Sequence, residues 1–296
     1  MTGFLRGSAT AMITPFNENG VDLEAFGEMM EYQIAGGTHA LIVLGTTGEP
    51  ATMTEDEKEA LIRYAVKKAA GRVKIVIGTG SNNTQKAVEG TIRAEKLGAD
   101  GILAVTPYYN KCTQNGLVAY YKAIAEATKL PVICYNVPGR TGVNILPETM
   151  AKIAEIPNIA GIKEASGNMA QVLETARLIR GKCDLYSGED ALNMAILAAG
   201  GTAVISVVSN IAPAGVKELC DAVLAGDLKR ANECNDKLIP LSKACFIEVN
   251  PIPAKAGMNA LGFRAGIPRA PLSEIEEAHR AVLLNAMKEF GLEVKA

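Results

Sequence analysis

Histidine is scarce in this chain of 296 residues, which contains only His39 and His279 and no tryptophan. A histidine-rich metal site is therefore excluded, and a Ser-His-Asp triad would have to use one of these two residues. His39 directly precedes an apolar run and is predicted to lie in a turn, whereas His279 is predicted to be solvated in a charged helix. General acid–base chemistry is therefore expected from Tyr, Lys, Asp or Glu.

The sequence also lacks excess basic charge, long apolar segments and closely paired cysteines. Its formal net charge of −2 provides no basic footprint, so no nucleic-acid partner is expected. Its longest apolar runs are too short to span a bilayer and its start, MTGFLRGS, has no apolar signal segment, so no membrane partner is expected. Its six cysteines form no CxxC pair, which favours reduced thiols in a cytoplasmic protein over disulfides or zinc.

Short apolar runs alternate with amphipathic stretches along most of the chain. The runs predicted as strands are Ala9–Pro15, Ala40–Leu44, Lys74–Ile77, Gly101–Val105, Pro131–Tyr135, Ile159–Ile162, Asp184–Tyr186 and Thr202–Val208. Near-continuous apolar strands that alternate with helices are typical of a parallel sheet covered on both faces. Eight such units in about 220 residues match an α/β fold of the (β/α)₈ or TIM barrel type.

A doubly wound open sheet is the alternative architecture. It usually has a GxGxxG segment after its first strand, and Thr14-Pro15-Phe16 occupies that place here. The barrel is therefore favoured, with residues 1–225 as the catalytic domain. From residue 226 to residue 296 a C-terminal helical extension is predicted to pack on the barrel, with helices over Asp227–Phe246, Ala254–Leu261 and Ser273–Phe290.

Polar residues follow several predicted strands at their carboxyl ends, where the active sites of (β/α)₈ barrels lie. Gly45-Thr46-Thr47-Gly48-Glu49 follows strand two, and its glycines would let backbone N–H groups face a small anion. An isolated segment of this kind is more often an ordinary turn. Thr106-Pro107-Tyr108-Tyr109 follows strand four and Tyr135-Asn136 ends strand five, where a tyrosine can either transfer protons or simply pack.

Strand six has the most informative residue, Lys163, at the end of the apolar run Ile159–Ile162. An ammonium group near a barrel core costs free energy unless it is paired or loses its proton. A neutral lysine amine attacks carbonyl carbons and forms an iminium ion that withdraws electrons. From these residues alone, a lysine whose charged end simply reaches solvent is an equal alternative.

Three of these segments together are typical of one family. Gly45-Thr46-Thr47-Gly48-Glu49, the run YNVPGRTG over residues 135–142, and Gly161-Ile162-Lys163-Glu164 resemble the dihydrodipicolinate synthase/N-acetylneuraminate lyase family. The resemblance continues to Asn250-Pro251-Ile252-Pro253-Ala254-Lys255. It implies a (β/α)₈ barrel with Schiff-base chemistry on pyruvate. Arg140 and the two threonines resemble the members that condense pyruvate with L-aspartate-4-semialdehyde on the route to diaminopimelate and lysine.

The resemblance implies catalytic roles for Lys163, Tyr135, Thr46 and Tyr109. Lys163 would attack the keto carbon of pyruvate, and Tyr135 would transfer protons during imine and enamine formation. Thr46 would hydrogen-bond Tyr135, and Tyr109 would complete the relay from a neighbouring subunit. No metal or organic cofactor is implied, because the lysine supplies the electron sink. The implied assembly is a homotetramer, a dimer of dimers.

The resemblance also implies substrate-binding roles for Thr47, Arg140, Ile205 and Gly188. Thr47 would bind the pyruvate carboxylate, with Ile205 and Gly188 in the same pocket. Arg140 would bind the carboxylate of the semialdehyde through its planar fork of donors. A lyase of the same family that acts on a sialic acid or keto-deoxy sugar acid is the nearest alternative, but a sugar presents hydroxyls at that end. A sugar-acid-binding regulator on this scaffold would be expected to lack Lys163 or Tyr135.

One departure concerns regulation. In lysine-inhibited relatives a glutamate after the GTGxN segment receives the ammonium group of the effector, and this chain has Lys86 at that position. Glu55 and Lys58 stand where those relatives have histidines. Because Lys86 would repel the cationic effector, feedback inhibition by lysine is expected to be weak or absent.

Overall fold

Eight short strands of mostly buried residues pair side by side, and the last pairs with the first to close a barrel. Every neighbouring pair is parallel. The computed structural model describes residues 2–295, and its barrel strands are β1 (Gly7–Ala11), β2 (Ala40–Val43), β3 (Lys74–Gly78), β4 (Gly101–Val105), β5 (Val132–Asn136), β6 (Ile159–Glu164), β7 (Asp184–Ser187) and β8 (Ala203–Ser206). The predicted (β/α)₈ barrel is confirmed, and the open sheet is excluded.

A helix follows each strand and covers the outside of the barrel. These helices are α1 (Leu23–Ala35), α2 (Glu55–Ala69), α3 (Thr84–Lys96), α4 (Gln114–Glu126), α5 (Pro147–Ile153), α6 (Met169–Ile179), α7 (Asn193–Ala198) and α8 (Pro213–Leu224). Helix α2 begins with the capping box that its sequence predicts, because Thr54 accepts from the Glu57 amide and the Glu57 carboxylate accepts from the Thr54 amide. Shorter elements lie in the loops: strands Phe16–Asn17 and Gly20–Val21, helix Pro138–Thr141, and 3₁₀ turns Thr46–Gly48, Pro50–Thr52, Asp190–Leu192 and Val208–Asn210.

Three helices form the C-terminal extension: α9 (Leu228–Cys245), α10 (Ile252–Ala260) and α11 (Glu277–Phe290). Helix α9 packs along α8 and α11. The predicted start of the last helix at Ser273 is wrong, because the helix begins at Glu277. The preceding residue, Glu276, has extended backbone and donates its amide to Glu248 Oε1 at 2.8 Å, so a tertiary contact fixes the helix start.

The first and last barrel strands are shorter than their apolar runs. Strand β1 ends at Ala11. Two residues later, the amide of Ile13 donates to Asn210 Oδ1 instead of to a neighbouring strand. Strand β8 ends at Ser206 because the next two amides, of Val207 and Val208, donate to a carboxylate and the chain then enters a 3₁₀ turn. Among residues 2–295 no helix combines the length and apolar character required to cross a membrane.

Candidate active site

Lys163 lies near the carboxyl end of β6, where the strand ends meet at one mouth of the barrel. It is only 5% exposed, and its Nζ lies 4.2 Å from the centroid of the Tyr135 ring. Strands β5 and β6 pair in a register that puts Tyr135 opposite Lys163. Within residues 2–295 no carboxylate forms an ion pair with this amine. A buried, unpaired amine beside a phenol is suited to nucleophilic attack coupled to proton transfer.

The same register places Asn136 opposite Glu164, one residue beyond the first pair. Asn136 Nδ2 donates to the two carboxylate oxygens of Glu164 at 3.1 and 3.3 Å, and the Ser166 amide donates to the same carboxylate at 2.7 Å. Because side chains alternate along a strand, this network lies on the helix-facing side of the sheet, opposite Tyr135 and Lys163. It holds the two strands in the register that brings the amine to the phenol.

Gly188, just beyond the end of β7, packs directly against the stem of Lys163. A Cβ atom at this position would lie 2.7 Å from Lys163 Cε and 2.8 Å from Lys163 Cγ, so only glycine leaves room for the lysine. The Gly188 amide donates to the carbonyl of Glu164 at 2.8 Å, which fixes the loop next to β6. The structure thus brings this predicted substrate-binding residue to the lysine stem.

Thr46 and Thr47 lie in the 3₁₀ turn that follows β2. Thr47 is buried, and its Oγ1 accepts a hydrogen bond from Asn250 Nδ2 at 2.9 Å. Thr14 Oγ1 donates to the carbonyl of Gly48 at 2.8 Å and holds the turn against β1. None of the hydrogen bonds formed within residues 2–295 joins Thr46 to the hydroxyl of Tyr135.

The turn after β2 is anchored to the extension by a buried ion pair. Lys255 Nζ in α10 lies 2.7 Å from Glu49 Oε1, and both side chains are fully buried. Burial lowers the pKa of Lys255 to about 8, although the carboxylate of Glu49 opposes the shift. The amide of Arg269 donates to the other oxygen of Glu49 at 2.8 Å, and the Phe16 ring lies 4.1 Å from Lys255 Nζ. Breaking such a pair leaves an uncompensated buried charge, so the contact fixes the loop firmly.

Asn250 connects two predicted substrate-binding residues. Besides its bond to Thr47, its backbone oxygen accepts from Arg140 Nη2 at 3.1 Å. Arg140 itself is exposed in the short helix after β5, so its remaining donors are free to bind an anion. The sequence pointed to Asn250 only as part of a family segment and assigned it no role, since nothing local shows that it contacts residues so distant in the chain.

Ile205 and Tyr109 occupy contrasting environments. Ile205 is buried in β8, where its backbone pairs with Ala9 of β1. Tyr109 is 90% exposed, and its backbone has the left-handed φ of 69°. Tyr109 therefore projects outward and does not join the cluster around Lys163 within one chain.

The profile of the Dihydrodipicolinate synthetase family matches residues 4–290. The chain belongs to this family. It is 50% identical over 284 residues to the 4-hydroxy-tetrahydrodipicolinate synthase of Alkaliphilus oremlandii, an alignment that covers 96% of this chain and 98% of that protein.

Solved structures of the family superpose closely on the chain. A monomeric dihydrodipicolinate synthase variant has a TM-score of 0.96 at 46% identity, with 98% of each chain covered. The chloride-inhibited dihydrodipicolinate synthase from Acinetobacter baumannii, complexed with pyruvate, has a TM-score of 0.95 at 41% identity. That superposition covers 97% of this chain and 99% of the other. Barrel, extension and strand order are therefore those of dihydrodipicolinate synthases.

The candidate site of this family member contains two acidic residues that the sequence did not single out. Glu189 follows Gly188, and burial raises its pKa above the ordinary value, as does the neighbouring charge of Asp190, while Lys163 opposes the shift. Asp190 is buried among backbone amides of the segment after β8. Among residues 2–295 no group of three or more His, Cys, Asp or Glu side chains is arranged to hold a metal ion.

Proposed function

We propose that the chain is a Schiff-base lyase that condenses pyruvate with L-aspartate-4-semialdehyde to give 4-hydroxy-tetrahydrodipicolinate and water. This is the first committed step towards diaminopimelate and lysine. The observation that carries the proposal is the buried amine of Lys163, which lies 4.2 Å from the Tyr135 ring centroid and has no carboxylate ion-pair partner among residues 2–295. Family membership and the relatives named 4-hydroxy-tetrahydrodipicolinate synthase support the same reaction.

The chemistry begins at Lys163 Nζ, which adds to C2 of pyruvate. Loss of water gives an imine, and loss of a C3 proton gives an enamine. C3 then forms a bond to the aldehyde carbon of the semialdehyde, whose oxygen takes up a proton. The amino group of the semialdehyde attacks C2, closes the ring and releases Lys163. In this proposal Tyr135 carries these protons, with Thr46 and, from a neighbouring subunit, Tyr109 as its relay.

Two anion-binding positions flank the lysine in this proposal. Thr47, through its hydroxyl and backbone, binds the pyruvate carboxylate, with Ile205 and Gly188 in the same pocket. Arg140 binds the carboxylate of the semialdehyde, and its exposed guanidinium fork supports this role because planar donors match a carboxylate in two bonds. A sugar-acid lyase would place hydroxyl groups beside Arg140 and would leave its charge without an anionic partner.

Assembly and location belong to the same proposal. The 90% exposure of Tyr109 supports a contact with a second copy of the chain, since a relay residue must reach another active site. We therefore propose a homotetramer built from two dimers, in the cytoplasm, with the barrel over residues 1–225 and the extension over 226–296.

Consumption of pyruvate by the purified protein tests the reaction, with aspartate-4-semialdehyde in one vessel and N-acetylmannosamine in another. Lys163→Ala runs beside the wild type, and Lys152→Ala, an exposed lysine of α5, is the matched control. Consumption only with the semialdehyde, abolished in Lys163→Ala and retained in Lys152→Ala, is the expected result. Consumption only with the sugar would transfer the proposal to the sugar-acid lyases, and equal rates in both variants would rule out Lys163 as the nucleophile.

A further inference from the structure

Strands β7 and β8 separate just where the candidate pocket opens. Their register contains only two pairs, Ala203 with Tyr186 and Val204 with Ser187. The next pair would be Ile205 with Gly188, but β7 ends at Ser187 and the pairing stops there. The Gly188 amide donates to Glu164 of β6, and Ile205 pairs with β1. The sheet is therefore open between the two residues proposed to line the pyruvate pocket.

The carboxylate of Asp190 spans this opening. Its Oδ2 accepts from the amides of Val207 and Val208 at 2.8 and 3.1 Å. Its Oδ1 accepts from Ser206 Oγ and, at 3.0 Å, from Asn193 Nδ2. Asp190 lies two residues after Gly188, and three of its four partners lie one to three residues after Ile205. One side chain thus joins the two loops that backbone pairing leaves apart.

Within residues 2–295, Asp190 is a buried acidic group that no cation neutralises. It is 7% exposed, and within residues 2–295 it forms no ion pair. An isolated buried carboxylate is costly unless hydrogen bonds compensate for the lost water, and here four donors converge on it. The amides of Val207 and Val208 donate to this carboxylate, and β8 ends at the preceding residue, Ser206. Asp190 therefore also fixes the end of β8, one residue after Ile205.

We propose that Asp190 is a positioning residue that sets the separation of Gly188 from Ile205 and thereby the pyruvate pocket beside Lys163. Asp190 acts through these two residues and does not itself touch the reacting atoms. The inference rests on the proposed function, since it assigns the opening between β7 and β8 to pyruvate. A displacement of about 1 Å in groups that orient a substrate can cost roughly a hundredfold in rate, so loss of this contact is expected to be measurable.

A matched control, Asp184, lies at the amino end of β7, the strand that precedes Asp190. Asp184 begins β7, is likewise 7% exposed, and accepts from the Gly3 amide at 2.7 Å and the Tyr186 hydroxyl at 3.0 Å. It is therefore an equally buried, hydrogen-bonded carboxylate, but it lies at the mouth of the barrel that is remote from Lys163. Asp190→Ala and Asp184→Ala should both lower thermal stability, and only Asp190→Ala should weaken pyruvate binding.

The measured quantity is the pyruvate concentration that half-saturates imine formation. Borohydride reduces the imine to a stable adduct, which mass spectrometry quantifies. Asp190→Ala is expected to raise this concentration about tenfold or more, and Asp184→Ala to leave it within about twofold. Asp190→Asn should lie much closer to wild type, because its amide oxygen can still accept from Val207 and Val208. The buried Asn193 Oδ1, which has no hydrogen-bond partner, can turn to accept from the new amide.

The outcomes separate this inference from the proposed function. Wild-type protein that yields no trapped adduct would overturn the proposed function and the inference with it. Two outcomes would overturn the role of Asp190 alone, provided that wild type forms the adduct. In the first, Asp190→Ala has the same half-saturating pyruvate concentration as wild type. In the second, Asp184→Ala raises that concentration as much as Asp190→Ala does. If Asp190→Ala does not fold, Ser206→Ala removes one of its four bonds. A several-fold rise in that variant supports the inference, and a value within about twofold of wild type overturns it.

Discussion

Asn250 Nδ2 donates to Thr47 Oγ1 across 2.9 Å, and this hydrogen bond joins the C-terminal extension to the turn after β2. The backbone oxygen of Asn250 accepts from Arg140 at the same time. One residue of the extension therefore contacts both positions proposed to bind substrate carboxylates. The buried pair of Glu49 and Lys255 adds a second attachment between the same turn and the same part of the extension. The extension thus contacts the candidate active site as well as covering the barrel.

Replacement of Asn250 by alanine is expected to weaken pyruvate binding. The change removes the donor to Thr47 and leaves a buried hydroxyl without its partner, which costs about 1–3 kcal/mol, or roughly fivefold in KM at the lower end. Steady-state kinetics with both substrates measure the effect. Asn259→Ala is the control, because Asn259 lies in α10, just after Asn250, and within residues 2–295 its side chain bonds only to Gly266 and Ala265. A KM for pyruvate unchanged in Asn250→Ala would contradict the role.

The sequence predicts the barrel well because its strands and helices are local patterns. The buried strands read as apolar runs, the capping box of Thr54 and Glu57 spans only three residues, and a lysine at the end of an apolar strand is visible in any window that contains it. Family resemblance then supplied the roles of the motif residues. Features that depend on a few neighbouring residues are therefore the ones that sequence reasoning recovers.

The contacts that complete the site are long-range and carry no local signal. Asn250 and Thr47 are 203 positions apart, and Asp190 and Val207 are 17 apart. A single asparagine or aspartate beside a turn is ordinary in sequence, and only the closed barrel shows what it contacts. The same reason explains why the runs predicted for β1 and β8 extend past the ends of these strands: β8 ends where tertiary donors replace sheet pairing, not where its apolar run ends.

The pair of Glu57 and Arg269 should make stability depend on pH in the acidic range. The hydrogen bonds of Arg269 lower the pKa of Glu57 from 4.5 to about 2. Because the folded-state pKa is the lower one, the stabilisation is fully present above the unfolded value of about 4.5 and is lost as the pH falls towards 2.

The test compares wild type with Glu57→Gln, whose amide keeps the capping box of α2 but lacks the charge. We expect the difference in free energy of unfolding between the two proteins to be largest near neutral pH. It should shrink steadily as the pH approaches 2, measured by urea denaturation at several pH values. A difference that stays constant over this range would show that Glu57 contributes no charge-dependent stability.

Lysine is expected to inhibit this enzyme weakly or not at all. Lys86 lies in the first turn of α3, and Glu55 is already paired with Lys58 at 2.8 Å and with Arg93. We therefore expect Lys86 to repel the ammonium group of the effector. Initial rates with added lysine are expected to stay unchanged through the sub-millimolar range. Inhibition within that range would contradict the prediction, and Lys86→Glu, which reverses the local charge, should increase sensitivity relative to wild type.

Gly188→Ala should slow imine formation without unfolding the barrel. The new Cβ would lie 2.7 Å from Lys163 Cε, so the lysine stem must move away from the position in which its amine faces Tyr135. We expect trapping of pyruvate by borohydride to fall at least roughly tenfold in rate, since small misplacements of reacting groups are costly. In Gly90→Ala the new Cβ meets Thr79 at an ordinary 3.6 Å, and α3 gains helix propensity. That control should react normally, and equal rates in both variants would exclude steric displacement of Lys163.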